Sequence, residues 1–200
     1  MYKIILLISI LALNLTMSLI SYAGEIQGHI DTDANKTKYK ANTVVYIEKA
    51  DGNFKPPSVN PQMDQKNLVF LPRVLPILVG TTVNFLNNDD VIHNVFSPDA
   101  CAGKFNLGLW KKGEVKVRKY DKAGCNSVVL CDVHPEMEAY VVVLQNPYFA
   151  LTDKDGNFII KNIPAGNYTL CVWNEKLKSP SQEINVPAKG KVDIVFTLKK

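Results

Sequence analysis

Beyond residue 23 the chain shows almost no apolar repeat at helical spacing, and this absence constrains the fold more than any motif. The chain breaks instead into short runs rich in Val, Ile, Tyr, Phe and Thr, such as TVVYIEK, TTVNFLN, SVVLC, AYVVVLQ, NFIIKNI and KVDIVFTL. Gly, Asn, Asp and Pro separate them at short intervals. β-Branched and aromatic side chains fit a pleated surface, and the separating residues supply the dihedral angles that reverse a chain. The pattern predicts an all-β sandwich or barrel. Asp155-Gly156, within DKDGNF, predicts a hairpin. Gly80 and Gly166 mark further turns, and the Pro-rich FKPPSVNPQ reads as a connection or boundary.

The 200 residues suit one large or two small domains. The formal charge is only +4 and the lysines are scattered, which gives no support to nucleic-acid binding. Residues 1–23 have the layout of a secretory signal peptide: Lys3, an apolar run over Ile4–Ile20, then small residues at Ser21 and Ala23. An uncleaved anchor is the alternative. No second long apolar run follows, so no membrane span is expected after signal removal, and the destination would be periplasmic or secreted.

Export favours paired cysteines. Of the four, Cys101 and Cys125 sit in loop-like surroundings and are the expected disulfide. Closing that loop would contribute roughly 3–4 kcal/mol in the chain-entropy model. Cys171 alternates within YTLCVW and is expected to be a buried free thiol.

Two of the three histidines lie in VIHNVFSP and CDVHPEMEAY. His93, Cys131, His134 and Met137 together offer two imidazoles, a thiolate and a thioether. That donor set suits type 1 copper: His₂Cys in a plane with a long axial Met. Cys131 closes a strand run, and the next residues form a tight loop that carries His134 and Met137. A zinc site using Asp132 or Glu136 as fourth ligand is the competing assignment. CDVHP lacks the second cysteine for haem attachment, and DKDGN lacks the rest of a calcium loop. His29 reads as a surface or satisfied histidine.

Two family resemblances are carried by specific residues. The run PILVGTTVNFLNNDDVIHNV resembles the cupredoxins (plastocyanin, amicyanin, azurin) at Val79, Gly80, Val83, Phe85, Asn87, Asp89, His93 and Val95. Cys131, His134 and Met137 are similar to the short amicyanin-like ligand loop. The resemblance implies His93 and His134 as equatorial ligands, Cys131 as thiolate, Met137 as axial ligand, and Asn94 as a residue that ties the loop by hydrogen bonds. It also implies a Greek-key sandwich. The segment FALTDKDGNFIIKNIPAGNYTL resembles transthyretin-like, carboxypeptidase-regulatory sandwiches at Asp153, Asp155, Gly156, Phe158, Ile163, Pro164, Gly166, Tyr168 and Leu170. GEIQGHI and NTVVYIEKADG are similar to the opening strands of the same module. The chain as a whole resembles exported methylamine-utilisation-type cupredoxin proteins.

These resemblances imply a split arrangement: residues 24–65 and 147–200 forming one sandwich, residues 66–146 a cupredoxin domain inserted in it. Two domains in series are the alternative. With only His29 left over, the chain lacks the histidines for a self-contained multicopper oxidase or nitrite reductase, and it is expected not to be an enzyme. The expectation is an exported one-electron carrier with one type 1 copper and a redox partner in the cell envelope. A copper-buffering or delivery protein and a structural interaction module are the alternatives.

Overall fold

A computed structural model describes residues 23–33, 38–178 and 180–200. The expected signal peptide lies outside the described residues except for Ala23. No helix among them is long and apolar enough to cross a membrane.

The chain is all-β. In order, the strands are β1 (Ala23–Thr32), β2 (Val44–Ile47), β3 (Gln62–Lys66), β4 (Val69–Leu71), β5 (Val74–Leu78) and β6 (Thr82–Asn87). There follow β7 (His93–Ser97), β8 (Phe105–Trp110), β9 (Val115–Lys119), β10 (Asn126–Leu130) and β11 (Glu138–Leu144). The last are β12 (Phe149–Leu151), β13 (Asn157–Pro164), β14 (Gly166–Trp173), β15 (Ser181–Val186) and β16 (Lys191–Leu198).

Hydrogen bonding sorts them into four sheets: β13-β1-β16, β12-β2-β14-β15, β5-β11-β10-β7-β8 and β4-β3-β6-β9. The first two contain strands from both ends of the chain. β1 runs antiparallel to β13 and parallel to β16, and β2 lies between β12 and β14. Their shared core includes Ile26, Ile30, Val45, Ile47, Phe158, Ile160, Leu170 and Val172. The other two sheets enclose a second core with Met63, Phe85, Val95, Trp110, Val129, Ala139 and Val141. β3 pairs with β4 and β6 in this second sandwich. The boundary expected at residues 65/66 therefore falls inside a strand, because Met63 and Gln65 are buried against β6.

Two strands, β11 and β2, show how the sandwiches meet. In β11, Ala139, Val141 and Val143 belong to the second core. The alternate residues Val142 and Leu144 instead join Val44 of β2 and Val74 of β5 in a separate cluster, flanked by Tyr46, Tyr140 and Trp173. Side chains alternate across a strand, so a strand buried on both faces reads as the unbroken apolar run YVVVL. β2 does the same: Val45 and Ile47 face the first core, Val44 faces the interface. Cys171 is free but only half-buried, not fully buried as expected. It alternates with Leu170 and Val172, so it points away from the first core and lies beside Tyr46.

The turn at Asp153–Asn157 forms, but it does not join paired strands. Asp153 Oδ1 accepts the amides of Asp155 and Asn157 at 2.9 and 2.8 Å, and Gly156 takes φ +90°. The flanking β12 and β13 then pair with β2 and β1 in different sheets. The expected hairpin is a sheet-crossing corner, because Phe158 and Ile160 bury their side chains in the core while β13 pairs along β1.

The β3–β4 turn does join paired strands. Asn67 and Leu68 both adopt left-handed backbone, φ 57° and 58°. This is the two-residue geometry that matches strand twist, normally Asn-Gly. A leucine there costs roughly 1–2 kcal/mol.

Arg73 joins the sandwiches electrostatically. Its guanidinium donates to the Glu138 carboxylate at 2.8 Å, to the Glu138 carbonyl at 3.0 Å and in a fork to Glu175. Its side chain is 38% exposed and that of Glu175 13%, so the network lies between a surface and a buried pair. Arg73→Ala should lower stability by about 1–2 kcal/mol, since it leaves two carboxylates facing each other. Urea denaturation measures this, and a loss that persists undiminished in high salt would contradict the electrostatic cause.

Candidate metal centre

Antiparallel pairing of β7 with β10, through Phe96 and Leu130, sets the site. It carries the start of β7 and the end of β10 to one end of the second sandwich. His93 opens β7, opposite Trp110 of β8, and Cys131 follows the last residue of β10. The ladder does not stop at Leu130. Asn94 Oδ1 accepts the Asp132 amide at 2.7 Å, so a side chain extends the pairing two residues further. Asn94 Nδ2 donates to Asn106 Oδ1 at 2.9 Å. The loop then closes on itself, with the Met137 amide donating to the His134 carbonyl at 3.0 Å.

Three donor atoms converge. Cys131 Sγ lies 3.8 Å from Nδ1 of His93 and 3.8 Å from Nδ1 of His134, and the two nitrogens are 3.1 Å apart. A point in their plane about 2.3 Å from the sulfur lies about 1.9 Å from each nitrogen, close to ordinary metal–ligand lengths. Among the described residues these three form the group of His, Cys and carboxylate ligands able to hold an ion. Asp132 and Glu136, the carboxylates considered for zinc, are exposed and outside it. Met137 is 1% exposed and shares the core cluster of Cys131.

His93 is fully buried, and its outer nitrogen has a partner. Nε2 lies 2.8 Å from Asp89 Oδ2. A carboxylate accepts, so this contact selects a ring with a proton on Nε2, and in the neutral form Nδ1 then presents its lone pair to the site. Asp89 also accepts the amides of Asn67 at 2.6 Å and Leu68 at 3.0 Å. Burial pushes the Asp89 carboxyl up, but these donors and His93 outweigh it and hold the group below the usual range. The loop between β6 and β7 is fixed by the buried Asn87, whose Nδ2 donates to the carbonyls of Val91 and Trp110 at 2.9 and 3.1 Å. Its Oδ1 accepts the Asp89 amide at 2.9 Å.

Asp89 and Asn87 enter the sequence reading only as matched positions. The spacing Asp-x-x-x-His held the one local signal for the Asp89–His93 contact, and the sequence reading made no use of it. His29 lies in β1, outside the metal-capable group. Cys101 and Cys125 form a disulfide, Cα–Cα 5.5 Å, linking the connections before β8 and before β10.

Fold and site define an all-β protein of packed sandwiches with a largely buried His–Cys–His group able to hold a metal ion. Residues 130–194 match a family profile described as polysaccharide lyase family 4, domain II. No curated protein sequence matches the chain. Among solved structures, an oxidised amicyanin variant aligns with 26% identity over 42% of this chain and 81% of that one, TM-score 0.40. A purple cupredoxin from Nitrosopumilus maritimus aligns with 26% identity over 42% of this chain and 99% of that one, TM-score 0.37. A Cu-containing nitrite reductase from Thermus scotoductus aligns with 27% identity over 50% of this chain but only 25% of that one, TM-score 0.42. With scores this low the likenesses carry no assignment, and the metal assignment rests on the side chains themselves.

Proposed function

We propose that the protein is an exported, non-enzymatic cupredoxin-type carrier of single electrons, holding one type 1 copper through His93, Cys131, His134 and Met137. The observation that carries this reading is the trigonal convergence of one sulfur and two nitrogens at 3.8, 3.8 and 3.1 Å, with no carboxylate in the group. Copper in such a site supplies a one-electron couple whose two states tolerate the same geometry.

The chain's own residues do the rest. Burial of His93, Cys131 and Met137 keeps water from the ligands. Asp89 and Asn94 hold His93 and the ligand loop in place, so the donors need not rearrange. His134 is the least buried of the three donors and is the natural port for an electron. Exposed Val133 beside it and Val91 and Ile92 before His93 offer apolar surface for a redox partner in the envelope. Residues from both chain ends would form a transthyretin-like sandwich that carries the copper unit as an insertion. The apolar leader supports export to the periplasm or beyond.

The test uses purified protein lacking residues 1–23. One equivalent of Cu(II) should produce an intense visible thiolate charge-transfer band, and NMR line-broadening should report fast electron self-exchange. A colourless protein without bound copper overturns the proposal. A coloured protein with slow self-exchange and rapid Cu(I) transfer to a chelating partner would replace it with copper delivery.

A further inference from the structure

We infer that Asp89 is a positioning residue that sets the tautomer and the donor strength of His93, and that the left-handed Asn67–Leu68 turn exists to hold it. The inference rests on the copper reading for its electronic part only.

Three facts converge on this carboxylate. It meets His93 Nε2 at 2.8 Å, where the ring is fully buried and its other nitrogen faces the site. It receives two consecutive amides, Asn67 at 2.6 Å and Leu68 at 3.0 Å, from the β3–β4 hairpin. The sheet of that hairpin also holds β6, the strand that leads to Asp89, while His93 opens a strand of the facing sheet. Those amides converge on one carboxylate because both residues stand at positive φ, which leucine rarely adopts. Asn87 Oδ1 then fixes the Asp89 backbone at 2.9 Å. The carboxylate is thus gripped from two loops and has one free task, which is to accept the Nε2 proton. Leu68 stands in left-handed backbone where a glycine would be unstrained, and the turn's two amides point at the Asp89 carboxylate.

The consequence has two parts. A neutral ring whose single proton is held on Nε2 offers Nδ1 as lone pair, so the donor faces the site before any ion arrives. A negative charge behind the ring also favours the more highly charged metal state, Cu(II) over Cu(I).

The experiment separates the parts. In the metal-free protein, imidazole nitrogen NMR should show His93 as a single Nε2–H tautomer. Asp89→Ala should give a mixture of tautomers, whereas a single Nε2–H form in that variant overturns the inference. In the copper-loaded protein, Asp89→Ala should lower the affinity ratio of Cu(II) to Cu(I) about tenfold, which is a rise of about 59 mV in potential. Asp89→Asn keeps an acceptor but not the charge. It should retain the tautomer and still move the ratio in the same direction, a split that a merely structural role would not produce. Should Asp89→Ala fail to fold by circular dichroism, an unchanged ratio in Asp89→Asn overturns the inference. If wild-type protein binds no copper, the carrier reading fails, but the tautomer measurement on metal-free protein still decides this one.

Discussion

Cys131→Ser should abolish the intense visible band and weaken Cu(II) binding by about a hundredfold or more, the upper end of what changes near a metal produce. The thiolate is the one soft, strongly covalent donor among the three convergent atoms. A serine oxygen stays protonated near neutral pH and sits on a shorter bond, so it neither donates comparably nor reaches the same point. The fold should survive. Cys131 is 3% exposed within a well-packed cluster, and burying a hydroxyl there costs about 1–3 kcal/mol. Met137→Leu is the control: the volume is conserved, usually for less than about 1.5 kcal/mol, and the band should persist with an altered potential. Absorbance titration with competing chelator measures the band and the affinity, and a redox titration followed at the same band measures the potential. A serine variant that binds Cu(II) as tightly as wild type would remove Cys131 from the site.

What the sequence made legible depends on how local the physics is. Strand runs, the Cys-x-x-His-x-x-Met loop and the surroundings of Cys101 and Cys125 are short-range patterns, and the structure contains the strands and the disulfide. The convergence of His93 with Cys131 and His134 is also present, because a distant His at the start of one strand and a loop at the end of its neighbour need only one pairing. The Asp89 contact was not legible. It depends on amides from Asn67 and Leu68, whose left-handed backbone no propensity rule assigns to leucine. The corner at Gly156 misled for a related reason. Its turn chemistry is that of a hairpin, and only core packing of Phe158 and Ile160 decides that the next strand joins another sheet. Cys171 was misjudged because alternation says that two faces exist, not that both are covered equally. YVVVL carried the missing information, since an unbroken apolar run asks for a second packed layer.

Gly28→Ala should destabilise the protein by about 3 kcal/mol or more, above the usual cost of overpacking. Gly28 lies in β1, with Phe158 of β13 on one side and Ile194 of β16 on the other. A Cβ at this position would stand 1.8 Å from the Ile194 carbonyl oxygen and 2.8 Å from its carbon. Both are backbone atoms, so no rotamer change relieves the clash. β1 cannot retreat, because it is hydrogen-bonded along both edges and Ile26 and Ile30 anchor it in the core. Gly166→Ala is the matched control: its nearest neighbours are Tyr168 ring atoms at 3.4 Å, an ordinary contact, and stability should change little. The two tryptophans allow the loss to be located, since Trp173 ends β14 of the first sandwich and Trp110 ends β8 of the second. In urea, with one or the other replaced by Phe, the Trp173 transition should move to lower denaturant in Gly28→Ala while the Trp110 transition moves less. The clash lies wholly in a sheet of the first sandwich, whereas His93, Cys131 and His134 depend on pairings of the second. The copper band of Gly28→Ala should therefore outlast the Trp173 signal during unfolding. Simultaneous loss of both would mean that the interface through Val44, Val74, Val142 and Leu144 welds the two cores into one cooperative unit.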